Sequence, residues 1–298
     1  MIKKKTVFIL GAGASMPYGY PSGFGLVDKF SSLHSDTVQV LTKLGYDQSH
    51  WGTFQKELKR SVQSSVDAFL ERREDLRELG KALVASVIIQ CETQGLMVST
   101  DDPWYSMLVD KLDGPYDEIG KNPVSFVTFN YDRSLEHFLS ESLCSRHKKE
   151  CQDVSKQIAT LPIIHIYGHV GRLKWQDPAG RDYSPVITPE IVKAAANQIR
   201  IISEGRDDSP ELQEARNAIS EAERVFFLGF GFHPDNMRRL GFPYKRAEKL
   251  RVVGSGFGLT HAESEYYKDT YLIDRLGGNN EKNVAFLRNC REFLSLAD

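Results

Sequence analysis

The stretch Val7-Phe8-Ile9-Leu10-Gly11-Ala12-Gly13-Ala14-Ser15 decides the reading of this chain. Val7 to Leu10 are consecutive apolar residues, as expected of a short strand buried on both faces. Gly11 to Ser15 follow at once, and all are small. A buried strand that runs into a glycine turn is how a nucleotide-binding α/β domain begins. Missing side chains let a diphosphate approach backbone N–H groups, and a helix start behind the turn favours its negative charge. The pattern is Gly-x-Gly-x-x rather than Gly-x-Gly-x-x-Gly, because position 16 is Met16. Alone, the stretch reads equally as a tight turn before a helix, so later segments must decide.

The chain has 298 residues, enough for one large domain or two modest ones. Its 41% hydrophobic and 26% charged content is that of a globular protein. The formal charge is −2 and there is no long basic run, so no direct nucleic-acid binding is expected. Lys3-Lys4-Lys5 reads as a solvated terminus. The apolar run behind it is too short for a secretory signal, and no stretch approaches the length of a membrane span. Cys91, Cys144, Cys151 and Cys290 form no C-x-x-C pair. A four-thiolate zinc site of the usual spacing is therefore not expected, whereas reduced thiols in a cytoplasm are.

Three further segments repeat the logic of the first. In Pro123-Val-Ser-Phe-Val-Thr-Phe-Asn-Tyr-Asp132, Val124 to Phe129 reads as a buried strand that ends in Asn130 and Asp132. Polar groups at that end of a strand lie where α/β ligands bind, although Asp132 and Asn130 serve equally as caps of the helix that follows. Arg224-Val-Phe-Phe-Leu-Gly-Phe-Gly231 and Leu250-Arg-Val-Val-Gly-Ser-Gly256 each run a strand into glycines. Glycine exits from three strands predict parallel strands whose carboxyl ends meet around one extended ligand, a dinucleotide. Thr260-His-Ala-Glu263 is a capping box for a last long helix.

Pro162-Ile-Ile-His-Ile-Tyr-Gly-His-Val-Gly171 gives another strand, Ile163 to Tyr167. His165, Tyr167 and His169 share one face if the strand continues past Gly168. No carboxylate or thiolate stands beside the histidines in sequence, so a metal is not expected there. Between the strands, Pro17 to Gly25 reads as a mobile, turn-rich loop, either a ligand cover or an ordinary surface loop. From about Leu33 to Leu112 the pattern is helical, with Phe54, Leu58, Val62, Val66, Phe69 and Leu70 at three- and four-residue steps. Asp67 reads there as a solvated or capping carboxylate. Helical pieces are also expected near Glu190 to Ser203 and Pro210 to Ala222.

These segments, in this order, resemble the sirtuin family, and within it the NAD-hydrolysing sirtuin-like branch of bacterial antiphage systems. Gly11-Ala-Gly-Ala-Ser15 is similar to the sirtuin Gly-Ala-Gly-x-Ser loop, and Pro21 to the proline of the next cofactor loop. Thr128-Phe-Asn-Tyr-Asp132 is similar to Thr-Gln-Asn-Ile-Asp. Phe227-Leu-Gly-Phe-Gly231 and Val253-Gly-Ser-Gly256 resemble the loops that hold the ribose and adenine end. Ser65-Val-Asp-Ala-Phe-Leu70 resembles a helix often seen in the sirtuin-like branch. The resemblance implies that Gly11, Ala12, Gly13, Ser15, Pro21, Thr128, Gly168, Gly229, Gly231, Gly254, Ser255 and Gly256 hold NAD. Asn130 and Asp132 would then stand at the reacting carbon. The sequence departs from the family where sirtuins have a His-Gly base, since Tyr167-Gly168 stands there. The base role then falls to His165, His169 or Tyr167. The Asp-Phe-Arg of the sirtuin cofactor loop and its four-cysteine zinc module are also absent, which argues against a protein deacylase.

The expectation is an α/β chain with a Rossmann-like parallel sheet in residues 1–32 and 113–298 and an inserted all-helical subdomain in 33–112. It would hydrolyse NAD, as substrate and without a metal, to nicotinamide and ADP-ribose. Nicotinamide leaves NAD as a neutral molecule, so a site must mainly shape the ribose, stabilise a cation-like carbon and place a water. The resemblance implies a toxic effector of a bacterial antiphage defence system, gated by homo-oligomer formation or by a separate sensor or regulatory subunit. The rival reading is a catalytically silent NAD- or ADP-ribose-binding sensor subunit; a third is an ADP-ribosyltransferase.

Overall fold

The computed structural model describes residues 1–63, 65–93, 100–201, 209–243 and 250–298. Six strands form one sheet: β1 (Thr6–Leu10), β2 (Val124–Thr128), β3 (Ile163–His165), β4 (Arg224–Leu228), β5 (Arg251–Gly254) and β6 (Arg275–Leu276). All pair in parallel, in the order β3-β2-β1-β4-β5-β6. The expected α/β class and Rossmann-like strand order hold. All of β1 is buried, as a strand covered by helices on both faces must be. Phe8 pairs in register with Phe126 on one side and Phe226 on the other, and its ring stacks on theirs at 5.6 and 5.0 Å. This aromatic row fixes the central register, because a one-residue slip would turn each ring to the opposite face.

Among the described residues, the path from β1 to β2 is mainly helical. It runs through α1 (Ala12–Ser15), α2 (Gly23–Ser31), α3 (Ser35–Lys43), α4 (Gln48–Ser61), α5 (Val66–Arg72), α6 (Arg77–Gln90) and α7 (Trp104–Leu112). Most of α6 is buried, from Leu79 through Ile89, so it is the central rod of this part rather than a surface helix. The remaining helices among the described residues are α8 (Ser134–His147), α9 (Cys151–Ile158), α10 (Pro189–Gln198), α11 (Pro210–Glu221), α12 (Pro234–Leu240), α13 (His261–Tyr271), α14 (Asn283–Asn289) and α15 (Arg291–Leu294). The Thr260–Glu263 capping box forms as read. Of the cysteines, Cys91, Cys144 and Cys290 are free thiols; the Cys151 side chain, like Ser203 at the expected helix end, lies outside the described residues.

Three local expectations need correction. The segment Pro17 to Gly25 is not a turn-rich loop throughout: a 3-10 turn spans Met16–Tyr18, and α2 starts at Gly23. The Ser22 hydroxyl caps it by accepting from the Gly25 N–H at 3.0 Å, and the buried Tyr18 and Tyr20 hold the turn to the core. Val62 does not continue the apolar face of Phe54 and Leu58. It ends α4 in the left-handed conformation, φ 52°, and is 89% exposed. β3 stops at His165, so the shared face expected for His165, Tyr167 and His169 does not form. Gly168, at φ 72°, turns the chain, and a Cβ there would collide with the Gln198 carbonyl.

Candidate functional site

The carboxyl ends of β2, β1, β4 and β5 lie side by side, where the strand order reverses and α/β sheets open a crevice. At the β1 exit the Gly11 N–H donates to the Leu228 carbonyl at 3.1 Å, and the Gly13 N–H donates to the Gly229 carbonyl at 3.0 Å. A Cβ on Gly11 would stand 2.5 Å from the Gly229 oxygen, and one on Gly13 would stand 2.8 Å from the Gly229 Cα. Gly229 itself sits at φ 55°, facing the backbone of Gly13 and Ala14. The space opened by these missing side chains is thus filled by the neighbouring chain exit. The expected helix start behind the turn is also short, because α1 has only 4 residues and its macrodipole is correspondingly small. Ala12 opens α1, and Gly254 and Gly256 lie at the end of β5, where Gly256 faces Gly277. Between them, the Ser255 hydroxyl accepts from the Gly229 N–H at 2.8 Å. Gly231 is exposed with open space at its Cα, and Pro21 is half-buried ahead of α2.

Asn130 is the polar group this framework positions most tightly. Its N–H donates to the Thr128 hydroxyl at 3.0 Å. Its side-chain Nδ2 donates to the Gly11 carbonyl and the Ser15 hydroxyl, both at 2.9 Å. Because a carbonyl can only accept, these bonds fix the amide orientation and leave Oδ1 on the other side. Among the described residues nothing donates to that Oδ1. Asp132 is not the N-cap of α8, which is Arg133; it stands one residue ahead, and one carboxylate oxygen accepts from the Ser134 N–H at 3.0 Å and from the Ser134 hydroxyl. Burial holds its carboxyl above the usual range, against the lowering effect of the Ser134 and Ser15 hydroxyls.

His165 is enclosed. Its Nδ1 donates to the Asn130 carbonyl at 3.0 Å, and its Nε2 meets Glu136 Oε1 at 2.8 Å. Burial opposes charge on the ring, but the Glu136 carboxylate outweighs it, and the imidazole is held above its ordinary value. Burial likewise opposes charge on Glu136, yet His165 draws it below the ordinary range. The pair is an imidazolium and a carboxylate, and both ring nitrogens are donors already engaged. His169, with its ring edge-on to His165 at 5.0 Å, is pulled down to about 4 by burial and by the His165 charge. Its Nδ1 accepts from the Gly171 N–H at 3.0 Å, so the neutral ring carries its proton on Nε2. Tyr167 points to α12. Its hydroxyl donates to Asn236 Oδ1 at 2.7 Å, accepts from Arg239 at 3.1 Å, and is pushed up to about 12 by burial. None of these three side chains offers an unoccupied acceptor as a base in this arrangement.

Several groups around the site carry no sequence signal of their own. Glu136 stands in a helix turn that faces inward, so its carboxylate is part of the core. Asp67, read as solvated or capping, is instead half-buried and accepts from the Tyr131 hydroxyl. Burial pushes its carboxyl up, with the Tyr131 bond opposing. Arg133 and Arg181 each grip Glu92 through paired bonds of 2.6 to 3.0 Å, with Glu92 and Arg133 fully enclosed. Arg133 also donates to the carbonyls of Arg172 and Asp182, which ties the segment after Gly171 to the start of α8.

A cleft of 730 Å³ runs along the outer edge of β3 and reaches Glu136, His165, Gly168 and His169. A larger one of 1190 Å³, between α3 and residues 185–190, holds none of the expected site residues. Among the described residues, no group of three or more histidine, cysteine or acidic side chains is placed to hold a metal, and no helix is long and apolar enough to cross a membrane.

No family model matches the sequence, and no curated protein does. Solved structures similar to this one include sirtuins. They include Sir2Tm bound to a propionylated peptide, 16% identical over 98% of this chain and 93% of that one, with a TM-score of 0.42. Sir2 in complex with the inhibitor EX-527, 2′-O-acetyl-ADP-ribose and a deacetylated p53-peptide is 15% identical, over 98% and 94%, with a TM-score of 0.40. A sirtuin from work on sirtuin substrate affinity is 17% identical, over 96% and 93%, with a TM-score of 0.38. At these identities and scores the likeness carries nothing about activity.

Proposed function

We propose that the chain binds NAD across the carboxyl ends of β2, β1, β4 and β5 and hydrolyses it to nicotinamide and ADP-ribose. The observation that carries this reading is Asn130. Its Nδ2 is spent on the turn after β1, and its Oδ1, to which nothing donates among the described residues, is free to accept from a ribose hydroxyl or a water. In the reaction the C1′–N bond breaks, the bonding pair neutralises the pyridinium ring, and water adds to C1′ as its proton leaves. Asn130 orients; His165, fixed by Glu136, holds the Asn130 carbonyl and so the strand end. Asp132 keeps the start of α8 in place. Residues 1–32 and 113–298 form the NAD-binding part in this reading, and 33–112 the helical insertion.

The resemblance of the motifs supports placing this activity in bacterial antiphage defence, where NAD loss stops the infected cell. Such an enzyme must be gated, by homo-oligomer formation or by a separate regulatory subunit. One observation favours the rival reading, a silent NAD- or ADP-ribose-binding subunit: His165, His169 and Tyr167 have no acceptor open as a base. Product analysis after incubation with NAD, with the chain alone and with its natural complex, separates the readings. Equal nicotinamide and ADP-ribose support hydrolysis. Tight binding with no nicotinamide under any condition supports the silent subunit, and ADP-ribose on protein a transferase.

A further inference from the structure

The helical part between β1 and β2 sends one ionisable side chain to the strand ends that the proposed reaction does not yet use. Asp67 lies in the first turn of α5, which packs among α2, α4 and α6. Its carboxylate nevertheless reaches Tyr131, the residue next to Asn130, and accepts the Tyr131 hydroxyl. It also lies close enough to Tyr167 that its charge helps burial push that phenol up. The bond to Tyr131 places Asp67 at the exit of β2.

The carboxylate has no cation of its own. Among the described residues no lysine, arginine or histidine pairs with it; its one side-chain partner is the Tyr131 hydroxyl. By contrast, the enclosed carboxylates Glu92 and Glu136 each have a cation at 2.8 Å. A carboxylate partly out of water without a positive partner is costly, and burial accordingly holds the half-buried Asp67 above its ordinary range. Such a group at the strand ends is what a cationic ligand relieves.

We infer that Asp67 is a specificity-determining residue: its carboxylate faces the positively charged nicotinamide-ribose end of the substrate and selects oxidised over reduced dinucleotide. This rests on the NAD reading above. Oxidised NAD carries a pyridinium cation, and the reduced form has a neutral dihydropyridine of nearly the same shape. The two differ where Asp67 acts and agree elsewhere. The same charge favours the cation that develops at C1′ as nicotinamide leaves.

The test uses the full chain and a carbocyclic NAD analogue, whose C1′–N bond does not cleave, in oxidised and reduced forms. Titration calorimetry compares wild type, Asp67→Asn and Tyr131→Phe. Asp67→Asn keeps the shape and an acceptor for Tyr131 but loses the charge. The expected result is a preference for the oxidised form of about tenfold or more in wild type, the scale of one partly solvated charge pair. That preference should persist in Tyr131→Phe and fall to about one in Asp67→Asn, with affinity for the reduced form unchanged. An unchanged ratio in Asp67→Asn overturns the inference while leaving the NAD reading intact. Equal loss of both forms in Asp67→Asn also overturns it, because Asp67 would then only support the fold. If wild type binds neither form, the NAD reading itself falls, and this inference with it.

Discussion

Replacing Glu136 by Gln removes one charge from the pair that fixes the end of β3. The side chains of His165 and Glu136 are 7% and 5% exposed, so solvent does little to screen them. Breaking such a pair costs about 3–5 kcal/mol. The low end, about 3 kcal/mol, applies because glutamine keeps a hydrogen bond and the ring can shed its proton. For a chain of this size that is a fall in Tm of about 6 °C. The pH dependence identifies the cause. His165 is held above its ordinary 6.5, so its contribution is complete below that pH and is lost as pH rises through the folded value. Glu136 is held below its ordinary 4.5, so its contribution is present above that pH and is lost as pH falls through the folded value. In Glu136→Gln the enclosed ring becomes neutral, and stability then drops as pH falls below 6.5. Urea titrations of both proteins should therefore show the widest gap near pH 5–6, about midway between the two ordinary values, narrowing toward pH 9. His137, pulled down mainly by burial to about 4, acts alike in both proteins and cancels; His169 is pulled down mainly by burial in both, and in the variant it loses the opposing influences of the His165 charge and of Glu136 together. A gap that is constant with pH would refute the assignment of an imidazolium–carboxylate pair.

Gly229→Ala places a Cβ against the backbone of Gly13 and Ala14 at a left-handed position, and should cost about 3 kcal/mol or more in a denaturant titration; a cost under about 1 kcal/mol would contradict the contact between the two chain exits. Arg133→Met strands the enclosed Glu92 with Arg181 alone and should destabilise by about 3–5 kcal/mol, with faster proteolysis in the segment after Gly171. An NMR titration of His169 should give a midpoint of about 4, with stability lost as pH falls below 6.5; a midpoint near 6.5 would mean the ring is solvated.

The central strands are legible because buried parallel strands leave apolar runs, four residues long in β1 and β4 and shorter in β2, where Ser125 interrupts, and in β5. Their glycine exits were legible as places of close approach, but not which partner approaches. Gly11 and Gly229 approach each other, and sequence has no means of separating a backbone neighbour from a phosphate. β6 has only two residues and no apolar run to announce it. The end of β3 was misjudged because alternation continues through Tyr167, while the turn is set by Gly168 and the Gln198 carbonyl far along the chain. Glu136, Arg239 and Asp67 were invisible as site neighbours for the same reason. Each sits on a helix with an ordinary polar pattern, and only tertiary packing brings it to His165, Tyr167 or Tyr131. The place of Asn130 at the end of β2 is legible because it is local: the residue follows directly on the strand.

The most direct measurement of the central claim is nicotinamide release from NAD by wild type and Asn130→Ala, each with its natural complex present and its fold checked by thermal melting. Wild type should release nicotinamide, and Asn130→Ala should lose about 100-fold or more of that rate, the effect of removing one group that orients water or ribose at the reacting carbon. Equal rates in the two proteins, with both folded, would contradict it.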